Sequence, residues 1–330
     1  MPRSQRIAVA GGTGGIGNHV VDGLLELQSR IPSSIITVIV LTRSIKGEPY
    51  IQSPSTNARA EIIPVDYTSI SSIAQVLSAH QIDTIISTLV SEPSQFIAAQ
   101  ENLLQAALNV PSVHRFAPSE FAIDSEHTDI PLYKTMKRPI LQSLRRAKAE
   151  RSSSPTPFEF TKFNCGIFTN YFGYGSPKSK PGFSPHGHLK AFPYVVDIST
   201  GTADVPGDGN NKICYTTAED VGRFVAEATQ LEKWEEDSTM MGDLVTINEV
   251  IAMAERITGK TITPKYNTLE DLQARMDPNP TSWMGNFYLD AFVHVIKGEQ
   301  PQTSATLNEL TSVKPMSVEQ FLQKWWGKDE

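Results

Sequence analysis

The chain has 330 residues, 29 Lys plus Arg against 36 Asp plus Glu, a net charge of −7 at neutral pH, and two cysteines, Cys165 and Cys214. No basic block or aromatic-basic stripe accompanies that acidic balance, so nucleic acid is not an expected partner, and the two distant cysteines fit neither a disulfide framework nor a metal site. The length suits one large α/β domain with a smaller lobe. A polar start and the lack of any membrane-spanning apolar run lead us to expect a cytoplasmic protein with no membrane partner, as a monomer or homodimer.

The first element is an apolar strand, Ile7 to Ala10, running into a glycine turn. Gly11, Gly14 and Gly17 fall in a G-x-x-G-x-x-G spacing around Thr13, Gly15 and Ile16, and Val20, Val21, Leu24, Leu25 and Leu27 then recur at helical intervals. Such a strand, turn and helix brings backbone N–H groups and a helix dipole close to a pyrophosphate, so a dinucleotide is the implied ligand.

Ser34 to Leu41 is rich in Ile and Val and reads as the second parallel strand. It ends in Thr42, Arg43 and Ser44, with Lys46 nearby, where an NAD site usually carries an acid for the ribose 2′-hydroxyl. A guanidinium there favours a 2′-phosphate, hence NADP(H). Residues 47–58 read as a loop, and the third strand, Ala60 to Val65, closes at Asp66. Asp66, with Tyr67, either touches the adenine or caps the next helix.

The fourth strand is expected from Thr84 to Leu89, placing Ser87, Thr88 and Leu89 beside the pyrophosphate and nicotinamide. A helix from about Ser94 to Leu108 leads to a fifth strand, Val113 to Ala117. This alternation specifies a Rossmann-type, doubly wound parallel sheet.

The fifth strand breaks at Pro118, and the string from Arg115 to Phe121 lies at the sheet edge where chemistry belongs. Pro118 is expected beside the cofactor, and Ser119, Glu120 and Phe121 toward the substrate. The next helix carries Tyr133, Lys134 and Lys137. Tyr133 and Lys137 are four apart on one face, with the ammonium and the cationic nicotinamide together expected to draw the phenol toward working pH as a proton relay.

A sixth strand is read at Phe158 to Phe163. After it come Phe168, Tyr171 and a loop bearing His186 and His188, aromatic surface suited to a small aromatic or polyketide-like substrate. The histidines are expected to decorate a solvent loop. Lys212 to Thr217 reads as a strand and Glu219 to Ala228 as a helix whose turn Asp220 caps or orients. Trp283 to Phe292 forms either a lid or pocket wall or core of the smaller lobe.

The VAGGTGGIG turn, the TR at 42–43, the RFAPSEF string at 115–121, Asn164 with Cys165, and GDGNNK at 207–212 followed by Glu219, Asp220 and Val221 resemble the NmrA-like and isoflavone-reductase-like branch of atypical short-chain dehydrogenases/reductases. Segment 242–262 resembles that family's C-terminal helix, most closely in its fungal branch. The resemblance implies that Asn164, Cys165, Gly166, Ile167 and Phe168 lie beside nicotinamide and substrate. It also implies a helix lysine, set in F-x-x-K-x-x-x-R-R, as acid/base.

Two lysines compete for that role. Lys134 keeps an arginine at Arg138 but has Pro131 in place of the phenylalanine; Lys137 lacks the arginine pair but matches the apolar rhythm of Ile140 and Leu144. Lys137 is preferred, and Lys134 stays open because Pro139 disturbs the helical phase.

The expected organisation is a dinucleotide domain over 1–165, to which 212–232 returns, and a substrate lobe over 166–211 and 233–330. The expected function is an NADPH-dependent reductase of a small aromatic or specialised metabolite. An NADP(H)-sensing regulator without turnover and a non-redox isomerase or cyclase are the alternatives.

Overall fold

A computed structural model describes residues 3–31, 36–298, 302 and 304–328. Its large sheet begins with β1 (Arg6–Ala10), which runs into α1 (Gly15–Arg30) and on to β2 (Thr37–Thr42), β3 (Tyr50–Gln52) and β4 (Arg59–Pro64). Then follow α2 (Ile70–Ala79), β5 (Thr84–Ser87), α3 (Pro93–Leu108), β6 (Arg115–Ala117), α4 (Pro131–Met136), α5 (Arg138–Glu150) and β7 (Glu159–Phe160).

The seven strands lie in the order β3-β4-β2-β1-β5-β6-β7, all parallel except the β3–β4 pair. From β1 the chain winds outward to β2 on one side and later to β5 on the other, which opens a crevice at the carboxyl ends of β1 and β5.

Both sheet faces are covered, which is why the strands read as unbroken apolar runs. Ile7, Val9, Val38 and Val40 bury against α1 and the later helix α6 (Ala218–Ala228), while Ala8, Ala10, Ile39 and Leu41 bury with residues of α2, α3 and α5 on the other face. The alternation along β1 and β2 is the period of two inside a sheet buried on both sides.

The segment 212–232 divides. Strand Lys212–Thr216 pairs with Asp243–Thr246 and Ile167–Phe168 in a separate three-stranded sheet, whereas α6 lies against α1, with Gly222 and Gly23 in close backbone approach. At the start of α6, Thr217 is the cap, and Asp220 accepts from both the Thr217 hydroxyl and the Met316 N–H. The remaining lobe has its own core, in which Phe172, Tyr215, Phe321 and Trp325 are buried.

Local departures from expectation have physical causes. Ser34 and Ile35, expected in the second strand, lie outside the described residues, and that strand runs from Thr37. The 47–58 loop contains β3, whose three residues are too few for a periodic signal; β4 supplies its hydrogen-bonding partner. The single sixth strand is two: Glu159–Phe160 ends the large sheet, and Lys162–Asn164 pairs with Asp237–Thr239. The helix carrying Tyr133 breaks at Lys137, because Pro139 has no N–H for the carbonyl four residues back.

Candidate active site

The turn after β1 is built from glycines held by their own backbone hydrogen bonds. Gly11 has φ +81°, and its N–H donates to the Leu41 carbonyl at 3.0 Å, tying the turn to β2. A side chain on Gly17 would bring its Cβ to 2.5 Å from both the Gly11 carbonyl oxygen and Thr88 Oγ1, so only glycine permits this approach of α1 to the crevice. Gly14 and Gly15 face open space, and α1 starts with no side-chain cap and no acid in its first turn. The Gly17 N–H is already given to the Gly14 carbonyl at 2.8 Å, which leaves the N–H groups of Gly15 and Ile16, with the helix dipole, to meet an anion.

A cavity of about 960 Å³ runs from this turn across the ends of β1, β5 and β6. Gly11, Thr13, Gly14, Gly15 and Ile16 line one end, with Thr42 and Arg43 at the carboxyl end of β2 and Tyr67 and Thr68 beyond β4. Tyr67 donates to the Leu41 carbonyl at 3.0 Å, and burial holds its phenol above the ordinary range. Asp66 points elsewhere: it accepts from the Thr68 N–H and hydroxyl, which lowers its carboxyl, while Ser69 caps α2.

Thr88 donates from its hydroxyl to the Ala10 carbonyl at 2.9 Å, and Ser119 donates to the Leu89 carbonyl at the same distance. These bonds fasten the loops after β5 and β6 to each other and to β1, with Thr88, Leu89 and Ser119 all on the cavity wall. Phe121 sits at φ +37°, a left-handed conformation costly for a non-glycine residue, and is held by burial and by stacking on Phe163 at 5.9 Å.

Lys137 enters this cavity with 13% of its side chain exposed. Its Nζ donates to the Glu120 backbone carbonyl, lies 4.0 Å from Glu120 Oε2, and stands 4.5 Å from the centre of the Tyr133 ring. Burial lowers the Lys137 ammonium, with Glu120 opposing; burial raises the Glu120 carboxyl, with Lys137 opposing. Burial also holds the Tyr133 phenol above its usual range, with the Glu120 charge adding. That direction is opposite to the one the Tyr-Lys spacing suggests, because desolvation of the phenol outweighs the nearby ammonium. Lys134 lies outside the cavity, 41% exposed and paired with Asp129.

The far wall is apolar. Phe121, Leu132, Met136, Phe168, Leu189, Trp283, Met284 and Phe287 line it, and Tyr133 meets Phe287 with ring centres 5.5 Å apart. Leu189 is carried by a segment fastened to α1: the His188 N–H donates to His19 Nε2 at 3.1 Å, and the His188 ring pairs with Asp22 at 3.0 Å. His186 is buried, so this is not a free solvent loop. Phe292 turns into the core of the lobe.

Several sequence candidates stand behind the wall or away from it. Ser87, Pro118, Asn164, Cys165, Gly166, Ile167 and Tyr171 are not among the lining residues, and neither is Lys46. Both side-chain polar atoms of Asn164 are buried without a hydrogen bond among the described residues, burial raises the Cys165 thiol, and Tyr171 meets Phe168 edge to face with ring centres 6.0 Å apart. The structure adds Gln95, Ala98, Ala99 and Asn102, small or polar positions at helical spacing on α3, with Asn102 donating to the Tyr67 carbonyl at 2.9 Å. That spacing was present in the sequence, as was the four-residue spacing of Leu132 and Met136; Leu189 carried no comparable signal.

Among the described residues no group of three or more His, Cys, Asp or Glu side chains is placed to hold a metal, and no helix is long and apolar enough to cross a membrane.

A model of the NmrA-like family matches residues 3–322. Oxidoreductase BOA1 of Botryotinia fuckeliana is 32% identical over 259 residues, spanning 77% of this chain and 76% of that protein. Isoflavone reductase homolog A622 of Nicotiana glauca is 25% identical over 335 residues, spanning 97% and 98%. The binary complex of leucoanthocyanidin reductase with NADPH from Vitis vinifera shares the fold with a TM-score of 0.69 at 21% identity, covering 97% of this chain and 99% of that one.

Proposed function

This chain belongs to the NmrA-like family, and we propose that it is an NADPH-dependent reductase of a small, largely apolar, aromatic substrate, with Lys137 as proton donor. The observation that carries this reading is that Lys137 and the glycine turn face the same cavity, whereas Lys134 does not.

The residues present fit a dinucleotide: an uncapped helix start, open space over Gly14 and Gly15, and a Gly17 that lets α1 approach. Gly14, Gly15 and Ile16 would hold the pyrophosphate, Arg43 a 2′-phosphate, and Tyr67, Thr68 and Asn102 the adenine end. NADPH, when bound, supplies the hydride. Lys137 holds a proton at Nζ, anchored by the Glu120 carbonyl, and gives it to the atom of the substrate that gains negative charge. Tyr133 keeps its proton and acts as a neutral hydrogen-bonding neighbour. Phe168, Trp283, Met284 and Phe287 exclude water and orient a flat substrate. BOA1's name, an oxidoreductase, and the NADPH in the Vitis vinifera complex support this reading.

Fluorescence titration with NADPH and NADH, followed by an NADPH-oxidation screen against quinones, enones and aromatic ketones, tests it. Tighter binding of NADPH and oxidation with at least one acceptor class are expected. Binding with no oxidation across the three classes would overturn the reductase reading in favour of a sensor or a non-redox catalyst.

A further inference from the structure

We infer that Glu120 is the positioning residue that keeps Lys137 protonated within the cavity, so that the proton is in place before the substrate arrives. The inference rests on the reading of Lys137 as proton donor.

A lysine buried in an apolar wall tends to lose its proton, because the charged form forfeits hydration. On one side Lys137 Nζ stands 4.5 Å from the centre of the Tyr133 ring, in a cavity that Met136, Leu132 and Phe287 also line. What it has on the other side is Glu120, twice over. The backbone carbonyl accepts a hydrogen bond from Nζ and fixes its place, and the carboxylate sets Oε2 at 4.0 Å. The two contacts separate: one anchors the nitrogen, the other meets its charge. A carboxylate oxygen at this distance acts through Coulomb attraction, which is strong where water is excluded.

The carboxylate itself is built for that duty. Its side chain has no exposure, Oε1 accepts from the Ser125 hydroxyl at 3.2 Å, and Oε2 has no hydrogen-bond partner among the described residues. An unpartnered buried carboxylate oxygen facing a buried ammonium leaves that ammonium as its main source of stabilisation. Other charged or titratable groups bear on the pair. Lys162, behind the loop, favours the Glu120 charge and Asp124 opposes it; Cys165 faces Lys137 as a thiol that burial keeps neutral; Tyr133 offers its ring face from α4. When Lys137 gives up its proton, the N–H bond breaks and the amine keeps the electron pair. The carboxylate left beside it then favours recapture of a proton from solvent water.

The test uses full-length protein with NADP+ bound and lysine labelled at 13Cε, followed by NMR across pH, with K137R assigning the signal. In Glu120→Gln the backbone anchor survives and only the charge is lost. The Lys137 midpoint is expected to fall by about one pH unit or more, a tenfold loss of proton affinity. Glu120→Asp is expected to restore at least half of that shift. An unchanged midpoint in Glu120→Gln would overturn the inference, since it would mean the natural carboxyl is already neutral. Should Glu120→Gln fail to fold, the natural protein carries the test: the Glu120 carboxyl carbon is expected to be ionised at pH 7, and a protonated carboxyl there overturns the inference. Both readouts are independent of turnover. A protein that shows the shift yet oxidises no NADPH keeps this inference's electrostatics and loses the reductase reading; one that turns over without the shift does the reverse.

Discussion

The two ends of β6 treat buried charge in opposite ways. At its amino end the Arg115 guanidinium is fully buried and saturated: it donates to Glu159 at 3.0 Å and to the carbonyls of Thr229, Leu231 and Glu232 at 3.2, 2.9 and 3.1 Å. Just past its carboxyl end, Glu120 and Lys137 are almost as buried, but they stand 4.0 Å apart and Glu120 Oε2 has no hydrogen bond among the described residues. A buried charge with every donor matched ties elements together. One left partly unmatched beside a cavity has a proton affinity that its surroundings can move. The comparison separates fold from chemistry along one short stretch of chain.

Arg115→Ala should break the saturated end with the largest effect on stability. It takes the guanidinium from the Glu159 carboxylate, which keeps only the Trp234 N–H, and from the carbonyls of Thr229, Leu231 and Glu232, and a loss of about 3–5 kcal/mol is expected in denaturant unfolding. A loss below about 1 kcal/mol would show that the hub is dispensable and remove the contrast.

Gly17→Ala tests the open end of the cavity. Its Cβ would press on the Gly11 carbonyl and Thr88 Oγ1, so roughly 1–3 kcal/mol of stability should go, along with NADPH affinity measured by fluorescence. Retained affinity would mean that the turn is not the pyrophosphate cradle.

Arg43→Ala should weaken NADPH about tenfold, near 1.4 kcal/mol, while leaving NADH almost untouched. Equal loss for both cofactors would contradict a 2′-phosphate contact.

The smallest effect concerns the ion-pair cluster around Glu126. Glu126 is held at about 2 by hydrogen bonds from Arg145 and then from Lys162, against an ordinary value of 4.5. Its folded value is depressed, so its contribution is present above about pH 4.5 and is lost as pH falls toward 2. Glu126→Gln should make acid unfolding shallower in that window. An acid limb identical to the natural one would show that the pairing adds no stability.

How far the sequence revealed this contrast depended on whether a property was local. The glycine turn, β1, β2, α3 and the Rossmann order were legible because strand period, glycine spacing and apolar runs are written in adjacent residues. Arg115 and Glu120 lie in one string, RFAPSEF, and nothing within that string tells the saturated charge from the poised one. The difference comes from Glu159, Thr229 and Leu231 at one end and Lys137 at the other. β3 was illegible because its hydrogen bonds come from β4. Lys137 lines the cavity with Tyr133 while Lys134 points out of it, and in the sequence Pro139 was visible only as a disturbance of the helical phase. Trp283 and Met284 line the same cavity as the glycine turn near the other end of the chain, a placement that no local pattern encodes.

The most direct measurement is kcat/KM for NADPH oxidation in Lys137→Ala and Lys134→Ala, assayed together with the same acceptor. Lys137→Ala is expected to lose roughly 100- to 10,000-fold with NADPH binding intact, and Lys134→Ala to stay within about twofold of the natural protein. Loss confined to Lys134→Ala would contradict the account, because the proton would then come from a side chain that lies outside the cavity, paired with Asp129.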